Sequence, residues 1–248
     1  MSVTVKNPHS ILVALKKRPQ DVQSVSLPGG NDAGEGWKEV ADLARQNRIP
    51  AKRAEKEEFR SHSPHQKDGR VGGANAVIRE KSAVSLEKLF ENNSDEGYGV
   101  WLALDQVQDP QNVGAIFRMA AFFGVRGILM TQDRSAALGG TVYDVSCGGV
   151  ECVPFAIEVN LQRALEAAKK ADLWILGTSE HARDSFSKIQ ADRNWLVVVG
   201  NEESGIRKLT EKSCDQMCTV PTAPGAGVTS LNVSTATAVI ISHLRTKI

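Results

Sequence analysis

Apolar segments of four to six residues recur along residues 98–248, separated by longer stretches of mixed polarity. They are VWLAL (100–104), GILM (127–130), VPFAI (153–157), LWILG (173–177), WLVVVG (195–200) and MCTV (217–220). The stretches between most of them, such as NVGAIFRMAAFFG and NLQRALEAAKKA, have the pattern of amphipathic or small-residue helices. Strands that are apolar on both faces and alternate with helices predict a parallel sheet covered on both sides. We therefore expect an α/β fold here.

The front of the chain, residues 1–80, predicts a separate small α/β domain. In NPHSILVALKKRP the apolar residues recur at helical spacing, so we expect a helix that Ser10 caps and that stops before Pro19. A second amphipathic helix is expected over residues 37–49, with Val40, Leu43 and Ala44 inward, and VQSVSL (22–27) alternates like a strand. GGANAVIRE predicts a further strand that closes the domain.

Residues 81–97 turn acidic and end in Asn, Ser, Asp and Gly, a composition typical of a linker. The sequence therefore divides into a domain over residues 1–80, a linker over 81–97 and a second domain over 98–248. Residues 1–80 hold 14 Lys and Arg against 10 Asp and Glu, which is weak support for a nucleic-acid contact there. The polar loop with His62 and His65 either grips RNA phosphates or is simply solvated.

The composition fits an ordinary globular protein, with 41% hydrophobic and 24% charged residues among 248. No apolar run approaches the ~18–20 residues that cross a bilayer, and MSVTVKNPHS lacks a secretory pattern, so we expect a cytoplasmic protein without membrane contact.

The four cysteines (147, 152, 214 and 218) lack zinc-site spacing and lie among apolar or small residues. We expect buried thiols, without a metal.

The first stretch that could carry chemistry is LDQVQDPQNVGAIFRMAAFFGV (104–125). Asn112 lies where a helix should begin, so it is either a simple N-cap or a functional amide. Arg118 follows in a helix that is apolar or small almost all round, which predicts that the helix is largely buried. A buried guanidinium needs an anionic partner, so Arg118 forms a structural ion pair or acts on a phosphate or a reacting oxygen.

The second stretch, LVVVGNEESGIRKL (196–209), imitates the glycine spacing of a P-loop. Ile206 and Arg207 replace its Lys and Ser/Thr, and Glu202 and Glu203 would repel phosphates. The loop therefore suits a neutral or cationic ligand, or a hydroxyl donor. For Glu203 we favour an acidic first turn of a helix, and for Glu202 both interpretations stay open.

The third stretch, VPTAPGAGVTSLNVSTATAVIISHL (220–244), gathers Thr229, Ser230, Asn232 and Ser234 between a glycine-rich turn and a helix of small residues. The turn from Pro221 to Gly227 can form a cradle of backbone groups, because glycine adopts conformations that other residues avoid. The small residues allow close backbone approach, which predicts a helix packed deep inside or against a second copy.

Together these stretches resemble the SpoU, or TrmH-like, RNA 2'-O-ribose methyltransferases of the SPOUT class over residues 98–248. The matching motifs are DQVQDPQNVGAIFRMAAFFGV, LVVVGNEESGIR and VPTAPGAGVTSLNVSTATAV, in the family's order. NPHSILVALKKRPQDVQSV and HQKDGRVGGANAV resemble the ribosomal-protein-L30e-like substrate-binding domain of members that form 2'-O-methylguanosine in 23S rRNA. The resemblance implies a parallel sheet with a deep trefoil knot behind an L30e-like domain.

The resemblance also implies the site. S-adenosylmethionine would be the cofactor, held by Thr178, Gly200, Asn201, Val220 and Leu231. Arg118 matches the family's catalytic arginine, and Asn112, Glu202, Ser230 and Asn232 match its other active-site positions. Two copies pack together in this family, so Arg118 can reach the partner's pocket in a homodimer.

We therefore expect methyl transfer from S-adenosylmethionine to a guanosine 2'-OH in 23S rRNA. The alternatives are a tRNA guanosine 2'-O-methyltransferase, an rRNA methyltransferase that confers antibiotic resistance, and a catalytically inactive RNA-binding SPOUT protein. A nucleotide-dependent enzyme that uses the glycine loops for phosphates is disfavoured by Glu202 and Glu203.

Overall fold

The structure is a computed structural model that describes residues 1–29, 34–54, 73–91, 97–228 and 230–246. The chain forms two compact units, the first of Met1–Ser82 with Leu138–Cys152 and the second of Ala83–Ala137 with Val153–Ile248. The segment Leu138–Cys152 therefore packs with the N-terminal part of the chain, although in sequence it interrupts the second unit.

The described residues of the first unit are built around a four-stranded sheet of order β1-β4-β2-β3. Strand β4 runs antiparallel to β1 and to β2, whereas β3 runs parallel to β2. Its elements are β1 (Ser2–Val5), α1 (Pro8–Lys17), β2 (Val22–Leu27), α2 (Glu35–Gln46), β3 (Ala51–Arg53), β4 (Asn75–Arg79), α5 (Gly140–Ser146) and α6 (Gly149–Cys152). The strands expected over 22–27 and in GGANAVIRE are confirmed, and β1 and β3 are additions.

Helix α1 ends before Pro19 as expected, but the prediction that Ser10 caps it is wrong. The cap is Asn7, whose side chain accepts a hydrogen bond from the His9 N–H, and Pro8 occupies the first helical position. Ser10 lies one turn further on, buried, and donates to the carbonyl of Tyr143. In helix α2, Val40 and Ala44 are buried, while Leu43 is only half-buried.

A buried ion pair fastens α6 to the N-terminal residues. Arg18 Nη2 donates to Glu151 Oε1 at 2.8 Å, and Arg18 Nε donates to the other carboxylate oxygen. Lys81 Nζ donates to the Val150 carbonyl at 2.8 Å, and burial lowers the pKa of this amine. Because a buried charge is costly without its partner, Glu151 and Arg18 need each other.

The second unit contains a six-stranded sheet of order β10-β8-β9-β5-β6-β7, in which every neighbouring pair is parallel. Each of the six apolar segments overlaps one of these strands, so the predicted parallel α/β sheet is confirmed. The elements are α3 (Leu86–Leu89), β5 (Val100–Asp105), α4 (Pro110–Phe123), β6 (Gly127–Thr131), β7 (Phe155–Glu158), α7 (Leu161–Lys170), β8 (Trp174–Thr178), β9 (Trp195–Gly200), α8 (Lys208–Ser213), β10 (Gln216–Cys218) and α9 (Val233–Thr246).

Helices cover both faces of this sheet. One face carries a buried cluster in which Trp101, Ala103 and Leu129 meet Leu161 and Leu165 of α7. Helices α4 and α9 pack against each other, and α9 also contacts β5 and β9. Since successive side chains of a strand point to opposite faces, Leu102 and Leu104 face away from the α7 cluster.

The strand order sets the position of the site. From β5 the chain continues to β6 and β7 on one side, while β9 and β8 lie on the other. Strand β5 is therefore the point where the order reverses, and ligands of open α/β sheets bind at the carboxyl ends of strands at such a point. Asp105 and Gly200, the last residues of β5 and β9, lie directly opposite each other in the parallel register.

The cysteines depart in part from the expectation of buried thiols. Cys218 is buried, Cys147 and Cys214 are half-buried, and Cys152 is exposed, so the expectation is wrong for Cys152. Burial raises the pKa of the Cys214 and Cys218 thiols to about 12, so neither readily forms the reactive thiolate.

No group of three or more His, Cys, Asp and Glu side chains that could hold a metal ion occurs in the described part of the chain. Among the described helices, none has the length and apolar character needed to span a membrane.

Candidate active site

Three loops of the second unit meet at one corner of the sheet through the side chains of Asn112, Glu202 and Asn232. Asn112 Nδ2 donates to Glu202 Oε1 at 2.9 Å, and Asn232 Nδ2 donates to Asn112 Oδ1 at 2.8 Å. These bonds join residues 90 and 120 positions apart in sequence, so they tie the three motifs together. We call this chain of three side chains the amide relay.

The direction of the amide relay is fixed by the start of α9. Asn232 Oδ1 accepts from the backbone N–H groups of Ser234 (2.9 Å) and Thr235 (3.3 Å), so Asn232 is the N-cap of this helix. Backbone N–H groups can only donate, so this atom of Asn232 must be its oxygen, and its NH2 group must face Asn112. By the same logic the NH2 group of Asn112 faces Glu202, which accepts as a carboxylate.

Asn112 is not a helix cap, so the first of the two interpretations given to it is wrong. The N-cap of α4 is Asp109, whose carboxylate accepts from the Gln111 N–H at 2.8 Å, with Pro110 at the first helical position. Asn112 lies within the first turn and is 6% exposed. An Asp-Pro pair before a helix is the sequence signal that could have placed the cap.

The loop after β9 closes on itself at Gly200. Asn201 and Gly205 exchange two backbone hydrogen bonds of 3.0 Å each, and Asn201 Oδ1 accepts from the Glu203 N–H. A Cβ atom at Gly200 would lie 2.1 Å from the Gly205 carbonyl carbon, so only glycine fits there. Helix α8 begins at Lys208, so Glu202 and Glu203 do not lie in its first turn, and the helix-start interpretation favoured for Glu203 is wrong.

The expectation that Arg118 is buried, which its apolar helix suggests, is wrong. Arg118 is exposed, on an outer stripe of α4 that also carries Phe122, which is 82% exposed. Arg118 is six residues beyond Asn112, hence about 9 Å along the helix and about 120° around it. The two side chains therefore leave α4 in different directions.

The predicted cofactor residues follow neighbouring strands. Thr178 ends β8, Gly200 ends β9 with Asn201 after it, and Val220 lies two residues beyond β10. Because β10, β8 and β9 are adjacent and parallel, these positions share one edge of the sheet. Leu231 and Ser230 lie on the loop before α9, where Leu231 is 49% exposed. His62, His65 and Thr229 lie outside the described residues.

This edge suits S-adenosylmethionine in its chemistry. Val220 is half-buried, Leu231 and Val228 are exposed apolar side chains, and the ends of β8 and β9 offer backbone N–H and C=O groups. Ligand pockets combine such apolar surface with a few polar groups, which an adenine ring and its ribose require. The carboxylates of Glu202 and Glu203 give the loop a negative charge that suits a cationic sulfonium.

Sequence reasoning missed two residues beside the amide relay, Asp105 and Arg207. Asp105 is fully buried at the end of β5 and accepts from Arg207 Nε at 2.7 Å. A carboxylate at the end of an otherwise apolar strand is the signal that could have drawn attention to it, since such a charge needs a partner.

Known proteins match the chain along most of its length. A 23S rRNA (guanosine-2'-O-)-methyltransferase RlmB of Pseudomonas aeruginosa is 33% identical over 242 residues, covering 95% of this chain and 93% of that protein. The protein of the same name from Bordetella pertussis is 31% identical over 236 residues, covering 94% and 92%.

Solved structures agree in fold. The SpoU methyltransferase AviRb of Streptomyces viridochromogenes, in complex with its cofactor AdoMet, has a TM-score of 0.79 at 19% identity and covers 99% of this chain and 90% of that one. An AdoMet-bound rRNA methyltransferase of Sinorhizobium meliloti has a TM-score of 0.76 at 17% identity, covering 99% and 87%. The SpoU rRNA Methylase family matches residues 99–242, which include all three loops of the amide relay. With more than half of the sequence matched in this way, the chain belongs to the SpoU rRNA methylase family.

Proposed function

We propose that this protein transfers a methyl group from S-adenosylmethionine to the ribose 2'-OH of a guanosine in 23S rRNA, in the cytoplasm. The observation that carries the proposal is the amide relay, which joins the family's three motifs at the carboxyl ends of β5 and β9. The names of the relatives from Pseudomonas aeruginosa and Bordetella pertussis support the same RNA and the same nucleoside.

The cofactor would lie along the edge formed by the ends of β9, β8 and β10. Thr178, Gly200, Asn201, Val220 and Leu231 would hold it, largely through backbone groups. When bound, S-adenosylmethionine supplies an electrophilic methyl group. The chain's own residues must then position the ribose oxygen and stabilise it as it loses its proton.

Arg118 acts in this proposal on the ribose 2'-OH and its adjacent phosphate. A hydroxyl is a weak nucleophile until it loses its proton, and a guanidinium, which keeps its positive charge, is a poor base. Arg118 therefore stabilises the developing alkoxide by charge, and a phosphate or water accepts the proton. Asn112, Glu202, Ser230 and Asn232 orient the ribose beside it.

The proposal includes a homodimer in which a second copy covers the outer stripe of α4. Gln111, Ala115, Arg118 and Phe122 form this stripe, at helical spacing. A phenylalanine that is 82% exposed at its end favours contact with another apolar surface. Because Arg118 and Asn112 leave α4 in different directions, Arg118 would complete the amide relay of the partner rather than its own.

The proposal also assigns the finer parts of the fold. Residues 98–248 form a SPOUT domain with a deep trefoil knot, which is supported by the hydrogen bond that joins Asn232, at the start of α9, to Asn112 of α4. Residues 1–80 form an L30e-like RNA-binding domain, with residues 81–97 as a linker. Strand β3 supports RNA binding, since its exposed edge carries Lys52 and Arg53.

Transfer of a radiolabelled methyl group tests the activity directly. The protein is incubated with labelled S-adenosylmethionine and either 23S rRNA without modifications or total tRNA, and the RNA is digested to nucleosides. We expect label in 2'-O-methylguanosine from the 23S rRNA. Label on a base, in tRNA alone, or in no RNA would contradict the proposal.

A further inference from the structure

The strongest unassigned group near the amide relay is the carboxylate of Asp105. It ends β5 and is 0% exposed. A buried carboxylate is costly unless it is paired and hydrogen-bonded. Both of its oxygens are bonded to one residue, since Oδ1 accepts from Arg207 Nε at 2.7 Å and Oδ2 accepts from the Arg207 backbone N–H at 3.1 Å.

These two bonds anchor the far end of the loop that carries Glu202. The near end is anchored by Asn201, whose Nδ2 donates to the Gln106 carbonyl at 3.1 Å. Both anchors are made to consecutive residues, Asp105 and Gln106, at the end of β5. The loop from Asn201 to Arg207 is therefore tied at both ends to the strand from which the chain continues to Asn112.

Glu202 itself is weakly restrained. Its side chain is exposed, and its one short hydrogen bond to another side chain in the described residues is the bond to Asn112. Its other contacts, with the N–H groups of Gln108 and Asp109 and with Asn201 Nδ2, are 3.4–3.5 Å long, the limit for a hydrogen bond. The position of its carboxylate thus depends on where the loop backbone is held.

We propose that Asp105 and Arg207 are a positioning pair that holds the Glu202 loop so that Glu202 accepts the hydrogen bond of Asn112. The proposal rests on the proposed function, because it assigns the pair a role in the turnover of that site. In this role neither side chain touches the substrate. Their effect reaches the reaction only through Glu202.

The primary test replaces Arg207 with methionine, which keeps an unbranched apolar side chain and removes the guanidinium that pairs with Asp105. We expect kcat for methyl transfer to fall by about 10²-fold, the usual effect of a displacement near 1 Å, with KM for RNA little changed. Arg207→Lys should recover part of the loss, because an ammonium retains the charge without the guanidinium geometry. A higher KM for RNA with an unchanged kcat would instead indicate that Arg207 contacts the RNA, and it would overturn the proposal.

The matched control is Lys169→Met. Lys169 pairs with Asp215 at 2.7 Å, and its side chain is 41% exposed against 44% for Arg207. Asp215 also accepts one backbone N–H, from Ile175 at 2.8 Å, so in both pairs the carboxylate accepts from one basic side chain and one backbone amide, although Asp215 is 28% exposed and Asp105 is fully buried. Because this pair lies away from the amide relay, we expect the control to keep the wild-type kcat, and an equal loss in both variants would overturn the positioning role.

A double-mutant cycle with Glu202→Ala separates positioning from general stability. If Arg207 acts through Glu202, Arg207→Met causes no further loss of kcat in the Glu202→Ala background. Independent losses that multiply would contradict the proposal. Should Arg207→Met fail to fold because Asp105 is left unpaired, the variant Asp105→Asn with Arg207→Met removes the buried charge and enters the same cycle.

Hydrogen exchange gives a readout that does not depend on activity. The amide of Gly205, bonded to the Asn201 carbonyl, should exchange at least several-fold faster in Arg207→Met than in the wild type and in Lys169→Met. Unchanged exchange would overturn the tether itself. An inactive wild-type protein with the faster exchange in the variant would contradict the proposed function and leave the tether supported.

Discussion

Replacing Arg118 by alanine is expected to lower methyl transfer by about 10²- to 10³-fold, the cost of removing one group that stabilises a developing oxyanion. The same change should leave folding intact, because the side chain is exposed and forms no hydrogen bond or ion pair within the described residues. Exposed positions of this kind usually change stability by less than about 0.5 kcal/mol. Single-turnover rates, thermal unfolding and calorimetric binding of S-adenosylmethionine measure the three quantities separately.

Arg163→Ala is the control for this prediction. Arg163 is an exposed arginine on α7, a helix on the other face of the sheet, and the variant should retain the wild-type rate. A rate within threefold of the wild type for Arg118→Ala would remove Arg118 from the chemistry. A large loss of thermal stability would instead show that Arg118 has a structural role.

Asn112→Asp is expected to lower the activity strongly, because it replaces the hydrogen-bond donor that faces Glu202 with an acceptor. Asparagine donates from Nδ2 to Glu202 at 2.9 Å, whereas aspartate would place a second carboxylate oxygen there. The two carboxylates repel each other, and the hydrogen bond that holds Glu202 is lost. We expect kcat to fall by about 10²-fold and the free energy of unfolding to fall by about 2 kcal/mol.

The pH dependence of stability identifies the cause of this loss. Two adjacent carboxylates bind a proton more tightly in the folded protein than in the unfolded chain, so the stability of Asn112→Asp should rise as the pH falls from 7 towards 5. Asn160→Asp is the matched control, because Asn160 only accepts a hydrogen bond, from the Arg163 N–H at the start of α7. Chemical denaturation across this pH range should show the rise in Asn112→Asp alone, and its absence would contradict the assigned direction of the relay.

The strands of the second unit could be predicted because their signal is local. Each apolar segment overlaps a strand, since a strand buried on both faces needs no polar alternation. The residues at which the helices begin were harder to predict. Ser10 and Asn112 both have cap chemistry, yet the caps are Asn7 and Asp109, each followed directly by a proline.

The site was predictable as a set of motifs but not as a geometry. Asn112, Glu202 and Asn232 were expected at one site from the family resemblance, whereas the order of donors among them depends on contacts between residues 90 and 120 positions apart. The prediction that Arg118 is buried was wrong, because in a helix that is apolar or small almost all round the sequence does not show which side faces the sheet. The packing of Leu138–Cys152 with the N-terminal residues could not be predicted either, because contacts between distant parts of the chain leave no local pattern in the sequence.

In the proposed dimer, Arg118 of one copy and the amide relay of the other form a single site. A heterodimer of Arg118→Ala and Glu202→Ala protomers, co-expressed with two affinity tags and purified through both, distinguishes this arrangement from a site formed within one copy. If Arg118 serves the partner, one of the two sites is intact, and the heterodimer should have about half of the wild-type rate although each homodimer retains only a small residual rate. A heterodimer as slow as the two homodimers, or a protein that remains monomeric, would show that Arg118 does not complete the site of a second copy.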